Sequence, residues 1–155
     1  MFYLFLTLWI IGDSQSGAIY HQFKQHYQHT KNYSIVSSRI EQWDKKYIFQ
    51  IPFEENDIVF IFLGSNHYDD KFIPTMNNIK KIISKKHLKC YFIGPPVIRN
   101  KRWNKEQFLK ERIEGVCDYI SSQDIMITSK DKIHPNQIDS KKWFDEINKH
   151  VINGK

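Results

Sequence analysis

Residues 4–17 read LFLTLWIIGDSQSG, an apolar run that ends directly in a turn rich in small and polar residues. A run of this kind, bounded by a turn, is typical of a strand buried on both faces of a parallel sheet. Further short apolar runs occupy residues 33–37, 57–63, 89–93 and 124–128. The chain therefore offers five candidate strands, the first of which leads into the turn at Gly12.

The stretches between these runs carry apolar residues at helical spacing. The helical stripes are Ile19, Phe23 and Tyr27; Ile40, Trp43 and Tyr47; Met76, Ile79, Ile82 and Ile83; Leu109, Ile113, Val116 and Ile120; and Trp143, Phe144, Ile147 and Val151. Strands that alternate with helices predict an α/β fold with a doubly wound, five-stranded parallel sheet between two helical layers. We expect one three-layer α/β/α domain over residues 1–155, a length that a single core can serve.

Charge and cysteine usage constrain the partners and the location. The chain has 23 Lys and Arg against 17 Asp and Glu, a net charge of +6, but its lysines are spread over every helical stretch. This pattern favours a solvated basic surface, so we expect no nucleic-acid partner. The two cysteines, Cys90 and Cys117, have no metal-ligand spacing, so we expect a reduced compartment.

The N-terminal apolar run can be mistaken for a targeting segment. No Lys or Arg precedes it, and it is much shorter than the ~20 residues that span a membrane. We therefore expect a buried strand, no membrane span and a cytoplasmic protein, while the oligomeric state stays open.

Three of the six glycines stand directly after apolar runs: Gly12, Gly64 and Gly94. In open α/β sheets, ligands bind outside the carboxyl ends of the strands, at the switch point of the strand order. Three glycines in corresponding positions, each followed by polar or turn residues, predict a functional site at that edge.

Chemically active side chains follow these strand ends. Ser14 sits on a tight strand-to-helix turn, where its hydroxyl is exposed and its own N–H lies at a helix N-terminus. Asp131 and His134 are three residues apart, so the carboxylate can bind imidazole Nδ1–H and leave Nε2 free to accept a serine proton. Asn66 can aim an amide at an oxyanion. Together they supply a nucleophile, a base, an orienting group and an oxyanion donor.

With Gly12-Asp13-Ser14, Gly64-Ser65-Asn66 and Asp131-x-x-His134 in this order, the chain resembles the SGNH hydrolases, also called GDSL-type esterases and lipases. The resemblance covers about Leu4 to Ile147. It implies a flavodoxin-like sheet and an ester hydrolase without metal or other cofactor. The catalytic residues would be Ser14, His134 and Asp131, and Asn66 and the Ser14 N–H would form the oxyanion hole.

Two positions depart from the family pattern. The family also uses a glycine N–H after the second strand, but this chain has Ile35-Val36-Ser37-Ser38 there. The main-chain N–H of Ser37 or Ser38 can substitute, and we place Ser37 in the oxyanion hole. His67 stands where the family has an aspartate after the asparagine, so contacts around Asn66 are expected to differ.

The substrate prediction rests on the size of the chain and on one loop. A chain this short leaves no room for a lid, which favours an open cleft and a short acyl group. The loop after the fourth strand carries Arg102 and Trp103, and arginine pairs with carboxylates or phosphates while aromatic rings stack on sugars. We expect an O-acetyl esterase acting on a carbohydrate or another small ester, with Gln15 and His67 also contacting substrate.

Other functions compete with this one. A lipase or thioesterase for longer acyl esters uses the same machinery. A non-catalytic or FMN-binding flavodoxin-like module fits the turn after Ser14, but has no use for Asp131 and His134. A metal phosphoesterase built on Asp13, Asp69, Asp70 and His134 lacks a recognised metal-ligand spacing.

Overall fold

A computed structural model describes residues 6–66, 72–101 and 106–153 of the protein. Its centre is a parallel sheet with strand order β2-β1-β3-β4-β5. The strands are β1 (Leu8–Gly12), β2 (Thr30–Ser34), β3 (Ile58–Phe62), β4 (Lys89–Ile93) and β5 (Asp118–Ile120). This is the flavodoxin-like order, and it confirms the predicted fold class. The order reverses beside β1, and in open α/β sheets ligands generally bind at such a point, outside the carboxyl ends of the strands.

Helices cover both faces of the sheet. The α-helices are α1 (Ser14–His26), α2 (Phe72–Lys86), α3 (Glu106–Ile113) and α4 (Gln137–Asn153). Helices α1 and α4 bury Phe23, Trp143 and Phe144 against the face that carries Ile10 and Phe62. Helices α2 and α3 cover the opposite face together with three short helical turns, Ile40–Gln42, Trp43–Tyr47 and Ile48–Gln50. These turns replace the regular helix that the Ile40, Trp43 and Tyr47 stripe predicted.

The last strand differs from the prediction. Residues 124–128 do not join the sheet, and Met126 within them forms only an isolated parallel bridge with Val97. The strand that pairs with β4 is β5, which lies within the predicted helical stripe. Gly115 adopts a φ of 79°, a left-handed conformation that suits the end of a helix. The chain beyond it is therefore free to run alongside β4.

The register of β4 and β5 also joins the two cysteines. Tyr91 pairs with Asp118, so the preceding residues, Cys90 and Cys117, face each other and form a disulfide across 27 positions of sequence. The expectation of a reduced compartment took no account of this register. Closing a loop of this length removes about 3 to 4 kcal/mol of entropy from the unfolded chain.

The disulfide also bears on where the protein works. Structural disulfides are typical of oxidising compartments, so this bond weighs against the cytoplasmic location, which stays a prediction. Among the described helices, none has the length and apolar character needed to cross a bilayer.

Candidate active site

The turn after β1 places Ser14 at the carboxyl edge of the sheet. Gly12 has a φ of 147°, and a Cβ atom at this position would lie 2.0 Å from the carbonyl oxygen of Phe62. The close approach allows the Asp13 N–H to donate to that same oxygen at 3.0 Å. Only glycine fits such a turn, which ends β1 and makes Ser14 the first residue of α1. The Ser14 N–H consequently has no partner inside the helix.

Asp13 caps the helix that begins at Ser14. Its Oδ1 atom accepts a hydrogen bond from the Gln15 N–H at 2.9 Å, and its side chain is fully buried. Burial raises the pKa of this carboxyl to about 7, although hydrogen bonds from Gln15 and Ser65 and the nearby His134 oppose the increase. Asp13 is thus a buried acid that changes charge near neutral pH.

The three residues predicted to form a catalytic triad lie in hydrogen-bond contact. His134 Nε2 is 3.1 Å from Ser14 Oγ, and His134 Nδ1 is 2.8 Å from Asp131 Oδ2. The side chains of His134 and Asp131 are each 49% exposed, so the site opens to solvent. The geometry fits a serine whose proton passes to an imidazole that a carboxylate holds in place.

Asp131 organises the loop on which His134 stands. Its Oδ1 atom accepts hydrogen bonds from the N–H groups of Ile133 and His134 and from the Ser129 hydroxyl, at 2.8, 3.0 and 2.9 Å. The hydrogen bond from the Ile133 N–H lowers the pKa of Asp131 the most. The other hydrogen bonds and the contact with the imidazole lower it further, so that it lies well below its usual range. Asp131 is therefore ionised wherever imidazole can act as a base.

Asp139 supports the same loop, a role that sequence reasoning missed. It lies buried in the first turn of α4 and accepts hydrogen bonds from the N–H groups of Thr128, Ser129 and Asn136. Asn136 Oδ1 in turn accepts from the Asp139 N–H at 2.9 Å, which completes a reciprocal cap. The spacing Asn136-x-x-Asp139 was a usable signal for this cap, because it places an acidic residue three positions after a capping residue.

The predicted oxyanion donors lie in the loops on either side of Ser14. Asn66 Nδ2 donates to the Ser38 carbonyl at 2.8 Å, which ties the loop after β3 to the loop after β2. Ser37 has a φ of 59°, the left-handed conformation for which glycine is the usual residue. The Ser38 N–H is bonded to the Ile35 carbonyl at 3.1 Å, whereas no acceptor among the described residues holds the Ser37 N–H. Of the two candidates, Ser37 therefore has the available donor.

The residues predicted to contact substrate have different outcomes. Gln15 is buried and bonds the main chain of the His134 loop, a placement that favours an internal role over substrate contact. His67, Arg102 and Trp103 lie outside the described residues. The described part of the Trp103 loop does reach the active edge, because the Arg99 N–H donates to the Lys132 carbonyl at 2.7 Å.

Within residues 6–66, 72–101 and 106–153, no group of three His, Cys, Asp or Glu side chains is arranged to hold a metal ion. Asp69 and Asp70, two members of the phosphoesterase alternative, lie outside these ranges.

The titration of Asp13 predicts a pH-dependent stability. Between the unfolded pKa of 3.8 and the folded pKa of about 7, the folded protein holds a proton that the unfolded chain has lost, so stability falls as the pH rises. The variant Asp13→Asn cannot ionise. Its free energy of unfolding, relative to wild type, should therefore increase by roughly 2 kcal/mol between pH 5 and pH 8 in urea titrations. Asp118→Asn removes an exposed carboxylate and controls for net charge, and a pH-independent difference would show that Asp13 stays ionised when buried.

Comparisons with known proteins bear on the fold. No family model matches the sequence, and no curated protein matches it. Solved structures do match. A variant of an acetyl-xylooligosaccharide esterase from Geobacillus superposes with a TM-score of 0.69 at 12% identity, over 94% of each chain. An acetyl xylan esterase gives 0.65 at 15% identity, over 94% of this chain and 98% of its own.

A candidate acylhydrolase from Bacteroides fragilis gives a TM-score of 0.67 at 12% identity, over 96% of this chain and 86% of its own. A GDSL-like lipase from Parabacteroides merdae also superposes, with a TM-score of 0.54. The superpositions extend over nearly the whole sheet and its helices, and the resemblance first seen in three short motifs is confirmed at the level of the fold. The chain has the fold of the SGNH hydrolase superfamily.

Proposed function

We propose that the protein is a serine esterase that hydrolyses oxygen esters through an acyl-enzyme. The observation that carries this proposal is the continuous contact from Ser14 Oγ to His134 and on to Asp131 at the carboxyl edge of the sheet. The names of the superposed esterases support the same reaction class.

In the proposed first step, Ser14 Oγ attacks the ester carbonyl while His134 Nε2 takes its proton. Ionised Asp131 keeps Nδ1 protonated and stabilises the imidazolium that forms. The tetrahedral oxyanion would accept hydrogen bonds from the N–H groups of Ser14 and Ser37 and from the Asn66 amide. Imidazolium then protonates the leaving alcohol, and the acyl group stays on Ser14.

The second step reverses these roles with water in place of the alcohol. His134 accepts a proton from water, the hydroxide attacks the acyl carbonyl, and Ser14 leaves with the proton returned by the imidazolium. The sum of both steps is one ester and one water converted to an acid and an alcohol. Every proton transfer in this scheme uses His134.

We propose a short acyl group, most simply acetyl on a carbohydrate hydroxyl. His134 and Asp131 are about half exposed, and an open site gains little from each added methylene, since ~0.8 kcal/mol per CH₂ is available only where the group leaves water. The superposed acetyl xylan esterases support a carbohydrate carrier.

A panel of aryl esters from acetate to octanoate tests the acyl preference. The value of kcat/KM should peak at acetyl or propionyl and fall by octanoyl, because an open site removes little of a longer chain from water. Acetylated xylooligosaccharides test the carrier, and Trp103→Ala should weaken their turnover more than that of aryl acetates. An octanoyl optimum would instead favour a lipase or thioesterase.

A further inference from the structure

The Gln15 side chain connects the nucleophile's helix with the loop that carries the base. Gln15 is 1% exposed, and its Nε2 atom donates to the Ile133 carbonyl at 2.8 Å, although the two residues are 118 positions apart. Its main chain is also fixed, since the Gln15 N–H is bonded to Asp13 Oδ1 at 2.9 Å. The amide is therefore a fixed link between the first turn of α1 and the loop of His134, rather than a side chain free to meet a ligand.

The accepting carbonyl belongs to the peptide group that leads into His134. The N–H of that same peptide group is the His134 N–H, which donates to Asp131 Oδ1 at 3.0 Å. Gln15 thus holds the oxygen end of the peptide group, and Asp131 holds its nitrogen end. Turning this group, and with it the backbone of His134, requires breaking one of these two bonds.

These contacts close a ring that includes the reacting atoms. Ser14 and Gln15 are neighbours in sequence, as are Ile133 and His134. The bond from Gln15 Nε2 to the Ile133 carbonyl closes one side of the ring, and the 3.1 Å contact between His134 Nε2 and Ser14 Oγ closes the other. The position of His134 relative to Ser14 is therefore set from within the nucleophile's own turn.

Stability alone is a poor explanation for this amide. No donor among the described residues reaches Gln15 Oε1, although that atom is buried. A buried acceptor without a partner costs about 1 to 3 kcal/mol, so an apolar side chain of similar length would fill the space at lower cost. What the amide adds over such a side chain is its bond to Ile133.

We infer that Gln15 is a positioning residue that holds His134 at hydrogen-bond distance from Ser14 Oγ. The inference rests on the proposed serine esterase function and replaces the substrate contact predicted for Gln15 from the sequence. A misplacement of about 1 Å between reacting groups can cost ~10²-fold in rate, so the loss of one such link is measurable.

The test compares Gln15→Met and Gln15→Glu with matched changes at Gln123. Gln123 is also buried, and its Nε2 atom donates to the Pro95 carbonyl at 2.7 Å, so Gln123→Met and Gln123→Glu remove the same kind of bond to a loop that carries no triad residue. Two rates are measured on folded protein: kcat for an aryl acetate, and the rate of Ser14 labelling by a fluorophosphonate. Gln15→Met should lower both by roughly 10- to 100-fold with little change in KM. The Gln123 variants should stay near wild type.

Gln15→Glu adds a pH signature. An ionised carboxylate has no proton to donate to the Ile133 carbonyl, whereas a protonated one does. The activity of Gln15→Glu relative to wild type should therefore rise as the pH falls from 8.5 to 5.5. Circular dichroism at each pH gives the folded fraction, and the activities are corrected for the fraction that is unfolded. Gln123→Glu should show no such rise.

The outcomes separate the two proposals. A wild-type protein that does not label at Ser14 contradicts the proposed function. A wild-type protein that labels, together with a Gln15→Met variant that labels equally fast, overturns the positioning role. A higher KM with unchanged kcat also overturns it and restores substrate contact. If Gln15→Met does not fold, Gln15→Asn keeps the amide but is one methylene too short, and wild-type kcat in that variant overturns the inference.

Discussion

Replacing Ser14 with alanine is expected to lower kcat/KM for aryl acetates by roughly 10³-fold or more while the protein stays folded. The reason is that, in the proposed scheme, Ser14 Oγ is the protein atom that bonds to the acyl carbon. His134→Ala should cost about as much, because the hydroxyl is a weak nucleophile without a base 3.1 Å away. Asp131→Asn should cost less than Ser14→Ala, since imidazole is retained.

The measurement is steady-state turnover with thermal melting as the check on folding. The double variant Ser14→Ala/His134→Ala should be no worse than either single variant, because the two side chains act as one unit. Ser121→Ala, an exposed serine that follows β5, is the matched control and should keep wild-type activity. Wild-type turnover in folded Ser14→Ala protein would rule out the acyl-enzyme.

The second large effect concerns Asn66. Asn66→Ala should lower kcat by ~10² to 10³ with little change in KM, since an oxyanion donor strengthens its bond chiefly in the transition state. Asn66→Asp should lose at least as much, because it replaces the donor by a negative charge. Asn77→Ala on the exposed surface of α2 is the control.

Asn66 also donates to the Ser38 carbonyl, so Asn66→Ala can loosen that loop. The loss of the oxyanion donor has to be distinguished from this structural effect. Equal melting temperatures for Asn66→Ala and wild type exclude that explanation. A change confined to KM would indicate that Asn66 binds ground-state substrate instead.

The parts of the site that could be predicted from sequence are those with local signatures. Asp131 and His134 are close along the chain, and Ser14 and Asn66 each follow an apolar run after two intervening residues, so strand ends place them at one edge. The main-chain N–H of Ser37 could also be proposed from the sequence, because a backbone donor does not depend on the side chain at that position, but its left-handed φ could not.

The contacts that could not be predicted depend on long-range geometry. Gln15 contacts Ile133 only because α1 and the loop before α4 converge, and the identity of neither residue predicts that hydrogen bond. The disulfide depends on the register of β4 and β5, which the spacing of Cys90 and Cys117 does not encode. The strand β5 was missed because Val116 and Ile120 fit the helical period, which Gly115 interrupts.

Covalent labelling shows directly whether Ser14 is a nucleophile activated by His134. Wild-type protein is treated with a fluorophosphonate, digested and mapped by mass spectrometry, beside Ser14→Ala and His134→Ala. We expect one modified peptide that contains Ser14. The modification should be absent from Ser14→Ala and should form much more slowly in His134→Ala. Ester hydrolysis without modification at Ser14, or labelling at another serine that survives in Ser14→Ala, would contradict this role of Ser14.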